Sequence, residues 1–379
     1  MRRAVAVTAA TSAVALFAAA CGGSSTAKSS TTPTTDTGSG SAAAVTAAQS
    51  AIAPYLALPT KIPLTEPLKS AAVKGKTIVF LQCELAQCKG IGDGVKAAAA
   101  VVGWHYQVIP YQSTNPSTLN KALDDALRYH PVATALTSPP FALWQQKVAE
   151  YKKAGVALIP SFVGPATIDS TVVANPADPD YSALNGRILA DWFIADSQAK
   201  GKVLSVNTSD FPYLDLVTKA FEKEIADKCT DCKVTQANLG IPDLASGASN
   251  GIIVSALRKD PSINYVITSD VVLISSLPGA LNAAGLSGKV KVGGCCGGKV
   301  TETGLTTGQF SVMTGVNGNY AGFVTVDAAL RVAEGSPIPA DENQLPIGLL
   351  MKGTAAAAAD SFDYPVDYVS QFKSLWKIQ

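Results

Sequence analysis

The sequence predicts an α/β protein of two lobes, each a parallel sheet wrapped by helices, on three observations. From Lys76 onward, short apolar runs alternate with amphipathic or Ala-rich helical stretches, the rhythm of βαβ units with right-handed crossovers. The alternation comes as two series separated by an irregular stretch at 164–181. The composition, 47% hydrophobic and 16% charged, suits globular cores, and 379 residues leave room for about two domains. A formal net charge of +1 with no basic stripe excludes nucleic acid as a partner. Two histidines offer little for metal or acid–base chemistry.

Residues 1–20 read as a signal peptide. Arg2 and Arg3 form a positive start, Ala4 to Ala20 carries no charge, and small residues precede Cys21. AVALFAAACGGSS resembles a bacterial lipobox, which makes Cys21 the lipidated first residue of the mature chain; Ala18 stands where leucine is usual. An ordinary secreted protein cleaved nearby and an uncleaved anchor are the other readings. Residues 22–45 are Gly, Ser, Thr and Ala with almost no bulky apolar side chain. They are expected to form a disordered tether, spanning roughly 25–30 Å. Residues 47–58 suit a short helix, so 21–70 reads as tether plus helix ahead of the first lobe.

The first series starts with a buried-strand pattern over 76–82 (KTIVFLQ). An Ala-rich helix over Gly92–Val102 closes at Gly103, and a strand covers Trp104–Ile109. Residues 115–129 predict a helix with an N-terminal signature; Leu119, Ala122, Leu123, Ala126 and Leu127 share its inner face. A strand at 132–138, a helix from Pro140 to Gly155 and a strand at 156–162 complete it. In the second series, helices are expected at 184–199, 215–225, 246–260 and 277–285. Strands are expected at 202–208, 233–239, 264–270 and 289–294.

Three segments carry a family resemblance: GIGDGVKAAAAVVGWHYQVIPYQSTNPSTLNKALDDAL, NGRILADWFIADSQAKGKV and YVITSDVVLISSLPGALNAAGLSGKVKVGG. From Lys76 to about Trp376 the chain resembles the type I periplasmic binding proteins, especially the ribose- and galactose-binding group. The resemblance implies two Rossmann-like lobes joined by a three-strand hinge, with crossings near Val163–Thr167, Gly315–Gly318 and Leu345–Met351. It assigns 71–163 plus 317–345 to the N-terminal lobe and 164–316 plus 346–379 to the C-terminal lobe. It implies the solute-binding subunit of an ABC importer, a monomer held by its lipid anchor on the extracytoplasmic face of the cell membrane. Its partners are a small-molecule solute, sugar-like by family default, and an ABC permease and ATPase complex. A sensor presenting its solute to a membrane receptor is the alternative. No Gly-x-Ser-x-Gly elbow, phosphate loop or metal cluster is present in the sequence, so neither enzyme activity nor a cofactor is expected.

Ligands of open parallel sheets bind at the carboxyl ends of strands. Those ends supply Gln82, Glu84, Ser138, Phe141 and Phe162 from the first lobe, and Asp210, Tyr213, Asp270, Cys295 and Cys296 from the second. Asn317 lies near the second hinge. Asp270 matches a family position whose Asn or Asp accepts from ligand hydroxyls; capping the next helix is its other reading. Asp210 and Tyr213 occupy a loop that carries polar clamps in the family, against turn and cap duty. Phe141, Trp144 and Phe162 are candidates for an aromatic wall, with core packing the alternative. Cys295 stands where sugar binders usually place Asp, and TGVNGNYAG lacks the common hinge Gln. A ligand less polar than a pentose or hexose follows.

Beyond Cys21, spacing suggests Cys83–Cys88 and Cys229–Cys232 as short disulfide loops. A redox or zinc role for 229–232 is the lesser reading. Adjacent cysteines start about 3.8 Å apart at Cα, below the roughly 4.4–6.8 Å that disulfides prefer. The glycines of GGCCGG tolerate unusual backbone angles. A vicinal Cys295–Cys296 disulfide is therefore expected, with two free thiols, or pairing with Cys83, as alternatives.

Overall fold

The computed structural model describes residues 37–113, 115–356 and 362–378. The expected signal peptide, the lipidation site Cys21 and the start of the tether lie outside the described residues. Helix begins earlier than expected, because the Ala-rich run inside 37–52 is a strong helix former. It gives α1 (Thr37–Ile52), which buries Ala48 and Ile52. The Pro-punctuated segment that follows is also fixed, not tether. Ile62, Leu64 and Leu68 are buried, and the Leu68 N–H donates to the Leu375 carbonyl at 2.9 Å.

The first lobe contains β1 (Thr77–Gln82), α2 (Ala86–Val102), β2 (His105–Pro110), α3 (Pro116–Leu127), β3 (Ala133–Thr137), α4 (Val148–Ala154) and β4 (Ala157–Ser161). Its sheet runs β2-β1-β3-β4, all parallel. Strand alternation sends Ile78 and Phe80 to one face and Val79 and Leu81 to the other. Gly103, with φ +70°, ends α2 in the left-handed conformation that glycine adopts without a Cβ clash. Asn115 caps α3 by accepting from Ser117 N–H at 3.2 Å, with Pro116 at the first helical position. The long helix expected from Pro140 starts only at Val148. Pro139 and Pro140 precede it, and Trp144 (φ −136°, ψ 0°) separates two 3₁₀ turns.

The second lobe continues with α5 (Pro179–Asp196), β5 (Lys202–Asn207), α6 (Pro212–Lys228), β6 (Lys233–Asn238), α7 (Ile241–Ser246), α8 (Ser249–Lys259), β7 (Tyr265–Thr268), α9 (Leu277–Ala283), β8 (Lys291–Gly297), α10 (Lys299–Thr307) and β9 (Val312–Gly315). The helix expected over 246–260 is split: Gly247 in the left-handed region closes α7 before α8 begins. The chain ends with α11 (Gly318–Glu334), β10 (Gly348–Leu350), α12 (Lys352–Ala356) and α13 (Tyr368–Leu375). The sheet order is β10-β9-β8-β7-β5-β6, parallel except for the β10 edge. The two-lobed α/β class read from the sequence is the one observed.

The passages between lobes differ from expectation in two places. After β4 the chain stays on the first lobe: Leu158 N–H donates to Thr171 O at 2.7 Å, and Val173 N–H returns to Leu158 O at 3.1 Å. The first passage therefore falls at about 174–178, not at Val163–Thr167. A second lies between β9 and α11, and a third, 344–347, leads into β10. Helix α11 packs on α2 so closely that a Cβ on Gly322 would lie 2.4 Å from the Gly94 carbonyl carbon.

The sequence reading placed all of 346–379 in the second lobe, and its end belongs elsewhere. Phe372 and Trp376 pack on Phe323 of α11, Trp376 stacking at 5.7 Å, and Trp376 Nε1 donates to Asp327 at 2.6 Å. A fourth passage, within 362–367, carries the chain back. Burial of these aromatics provides the driving force.

Candidate functional site

The carboxyl ends of β1, β3 and β4 face those of β5, β7 and β8 across the lobes. Direct contacts join them. Gln87 Nε2, in the first turn of α2, donates to Asp270 Oδ1 at 3.4 Å. Phe162, just past β4, meets the Tyr213 ring edge-to-face at 5.5 Å and that of Tyr181 at 6.5 Å.

Backbone geometry sets these positions. Ser138 (φ 73°), Phe162 (φ 52°) and Cys296 (φ 65°) are non-glycine residues in the left-handed region, at the ends of β3, β4 and β8. Such conformations cost about 1–3 kcal/mol and gather at binding and catalytic sites. At β8 the cause is a bulge. Gly294 pairs with Met313 and Gly297 with Gly315, so Cys295 and Cys296 together oppose Thr314.

Tyr181 and Tyr213 sit in the first turns of α5 and α6. Asp178 caps α5 by accepting from Tyr181 N–H at 2.9 Å, and Pro179 and Pro212 start the two helices. Both phenol hydroxyls are buried without a well-aligned hydrogen bond, with Asn185 near that of Tyr181 and Ser182 and Cys296 near that of Tyr213. Burial pushes both phenols well above their ordinary pKa; Tyr364, Cys295 and Cys296 add to it at Tyr181, and the two cysteines at Tyr213. The Cys296 thiol is raised as well, first by its contact with the Cys295 sulfur and then by burial, so it stays protonated.

The disulfide expectations divide. Cys83–Cys88 and Cys229–Cys232 are bonded, with Cα separations of 5.5 and 5.4 Å. Cys295 and Cys296 are free, buried thiols, not the expected vicinal disulfide. Neighbouring Cα atoms are closer than a disulfide prefers, and the bulge holds both side chains without a bond. Pairing with Cys83 is precluded by its bond to Cys88.

Several candidate residues are committed elsewhere. Asn317 caps α11 by accepting from Tyr320 N–H at 3.0 Å, and its amide donates to Tyr364 O at 2.9 Å. These bonds tie it to the hinge. Asp210 accepts from Ile241 N–H at 2.8 Å, tying the loops after β5 and β6. Glu84 accepts from Ser113 N–H and Oγ at 3.0 and 2.6 Å. Burial opposes its charge, but those bonds outweigh it and lower its pKa. Gln82 is directed at α2, where a Cβ on Gly92 would lie 2.7 Å from its Oε1. Phe141 packs edge-to-face on buried Trp144 at 4.7 Å, away from the Phe162 cluster. Phe162, Tyr213, Cys295 and Cys296 come together, with Asp270 beside them.

Sequence reasoning missed three residues. Tyr181 was findable: Asp178-Pro179 marks a helix start and places it in the first turn. Gln87 lay ahead of the expected helix start. Tyr364 donates to Gly315 O at 2.7 Å and accepts from Gly348 N–H at 3.0 Å, latching the hinge. No local pattern flagged it.

This is a two-lobed frame with a site where the strand ends meet, the form of a solute-binding protein. Residues 86–337 match the family described as periplasmic binding protein domain, and the chain belongs to that family, whose members bind and do not catalyse. No curated protein is similar enough in sequence to count as a match. Among solved structures, a 5-methylthioribose transporter solute-binding protein from Thermotoga lettingae, in complex with 5-methylthioribose, superposes at TM-score 0.68. It has 15% identity and covers 83% of this chain and 99% of its own. A sugar ABC transport substrate-binding protein from Bordetella parapertussis gives 0.67 at 19% identity, covering 80% and 97%. An ABC transporter solute-binding protein from Agrobacterium vitis, bound with α-D-tagatopyranose, gives 0.65 at 18%, covering 77% and 99%. At these identities the likeness is one of fold.

Proposed function

We propose that the chain is the capture subunit of an ABC importer, held outside the membrane by a lipid on Cys21. It closes its lobes on a small organic solute and hands it to a permease driven by an ATPase. The meeting of Phe162 and Gln87 of the first lobe with Tyr213 and Asp270 of the second carries this reading. A ligand touching both lobes favours the closed state by its differential affinity. The residues proposed to meet the ligand all come from one chain, which supports a monomer. Among the described residues no helix is long and apolar enough to cross a membrane; the anchor rests on the sequence around Cys21. Asp270 and the Phe162–Tyr213 pair are the proposed ligand contacts.

The test is small-angle scattering and thermal unfolding with added solutes. A true ligand contracts the particle and, at 100 times its dissociation constant, adds about 2.7 kcal/mol. Asp270→Ala should abolish both effects with the fold intact. Stabilisation that survives Asp270→Ala undiminished counts against the site.

A further inference from the structure

Three polar groups that could read sugar hydroxyls are committed elsewhere, which leaves Asp270 as the one acidic candidate at the site. Asp210 holds the Ile241 amide, Glu84 holds Ser113, and Asn317 holds the hinge. The strand-end segments 82–85, 137–141, 161–162, 209–213, 241–244, 268–270 and 294–296 contain no Lys, Arg or His, so no cationic side chain there matches an anion. In the carboxylate's place stand two buried thiols, weak hydrogen-bonding groups that favour aromatic edges. Around them are the Phe162, Tyr181 and Tyr213 rings. Two phenol hydroxyls, each at least nine-tenths buried, lie beside the sulfurs without a well-aligned hydrogen bond. Tyr213 has Ser182 and Cys296 as its near polar neighbours and Tyr181 has Asn185, none of them in bonding geometry.

We propose that the cleft takes a neutral, ring-bearing solute of low polarity, an aryl alcohol or phenol and not a polyhydroxylated sugar. The ring sits against Cys295, Cys296 and Phe162, and its oxygen meets the Tyr181 and Tyr213 hydroxyls. This rests on the reading of the cleft as a solute site. It accounts for two features together that a sugar site leaves unexplained: the sulfur bulge, and two poorly bonded phenols beside it. A sugar would bring hydroxyls to groups that bond them poorly, and buried hydroxyls left unpaired lose affinity.

The test is calorimetric titration of the full chain with phenol, benzyl alcohol and 4-hydroxybenzyl alcohol, against D-ribose and D-galactose, with benzoate as the anionic control. At least one aryl alcohol or phenol should saturate about tenfold tighter than either sugar, and benzoate should not bind. Tyr213→Phe should weaken that ligand about fivefold without lowering the unfolding temperature of the protein alone. Cys296→Ser, which keeps the size and adds polarity, should weaken it too. Tighter binding of either sugar, or no saturation by any aromatic probe, overturns the inference. Scattering on the same samples separates the two readings. If a sugar contracts the particle, solute capture stands and the aromatic class falls; if no probe of either kind does, both fall.

Discussion

On the back of the first lobe, Asp327 is buried between two donors, Trp376 Nε1 and Arg331 Nε, each at 2.6 Å. Arg331 also donates to Glu66 O at 2.6 Å and stands 3.8 Å from Glu342. At the floor of the cleft, the buried Tyr181, Tyr213 and Ser182 hydroxyls make no well-aligned hydrogen bond, Ser182 and Tyr213 being near neighbours. Both clusters sit next to a passage between lobes. The first ties α11, α13 and the leader segment to one another: Asp327 and Arg331 are matched, while the Glu342 oxygens and the Tyr320 hydroxyl beside them make no hydrogen bond. The second meets the other lobe through the Phe162 ring, where the proposed ligand would arrive. Buried polar groups cost about 1–3 kcal/mol each when unpaired; both clusters carry some, and they differ in that charged bonds to Asp327 hold the first together while ring contacts hold the second.

The strongest attempt to break that contrast is Arg331→Ala. It leaves Asp327 buried without its cation, and removing one partner of a buried pair costs about 3–5 kcal/mol. Denaturant unfolding should show that loss, and a change below about 1 kcal/mol would mean the cluster braces nothing. Trp376→Phe is milder. It keeps the ring against Phe323 but removes one donor to Asp327, and should cost about 1–3 kcal/mol.

Glu342 sharpens the comparison through pH. Burial, then the neighbouring Asp327, raises its carboxyl well above the usual value of 4.5, while Arg331 opposes the rise. Above that ordinary value the unfolded chain releases the proton and the folded protein keeps it, so stability falls as pH rises until the folded carboxyl also ionises. The slope reaches at most about 1.4 kcal/mol per pH unit. Glu342→Gln should flatten it, read from unfolding midpoints between pH 5 and 8. An unchanged slope would place its origin elsewhere.

The brace and the cleft were legible in the sequence to different degrees. Strand positions were plain, because buried runs such as TIVFLQ have few alternatives and Gly103 and Asn115 punctuate their neighbours. So were the places where strand ends would meet, which is why Phe162, Tyr213 and the adjacent cysteines were named. What strand-end logic could not supply was commitment. Asp210, Glu84 and Asn317 have the chemistry of ligand contacts, but their partners Ile241, Ser113 and Tyr364 are 31, 29 and 47 residues away. The return of α13 to the first lobe was hidden for the same reason: Trp376 finds Asp327 49 residues upstream. The bulge at β8 depends on the register with β9, which no local pattern encodes.

The smallest predicted effect has the opposite sign. Tyr213→Phe keeps the ring that meets Phe162 edge-to-face at 5.5 Å and deletes a hydroxyl without a well-aligned hydrogen bond. Removing such a group relieves a desolvation cost, so stability should hold or rise by up to about 1 kcal/mol. The same atom-level change therefore behaves differently at the two ends of the molecule. A lost donor at Trp376 weakens the fold, and a lost donor at Tyr213 does not. A fall of more than about 2 kcal/mol in Tyr213→Phe would show the hydroxyl already bonded within the protein, with Cys296 or Ser182 as the partner. The cleft floor would then be a second brace, and the donors assigned to a ligand would have to be sought elsewhere along the strand ends.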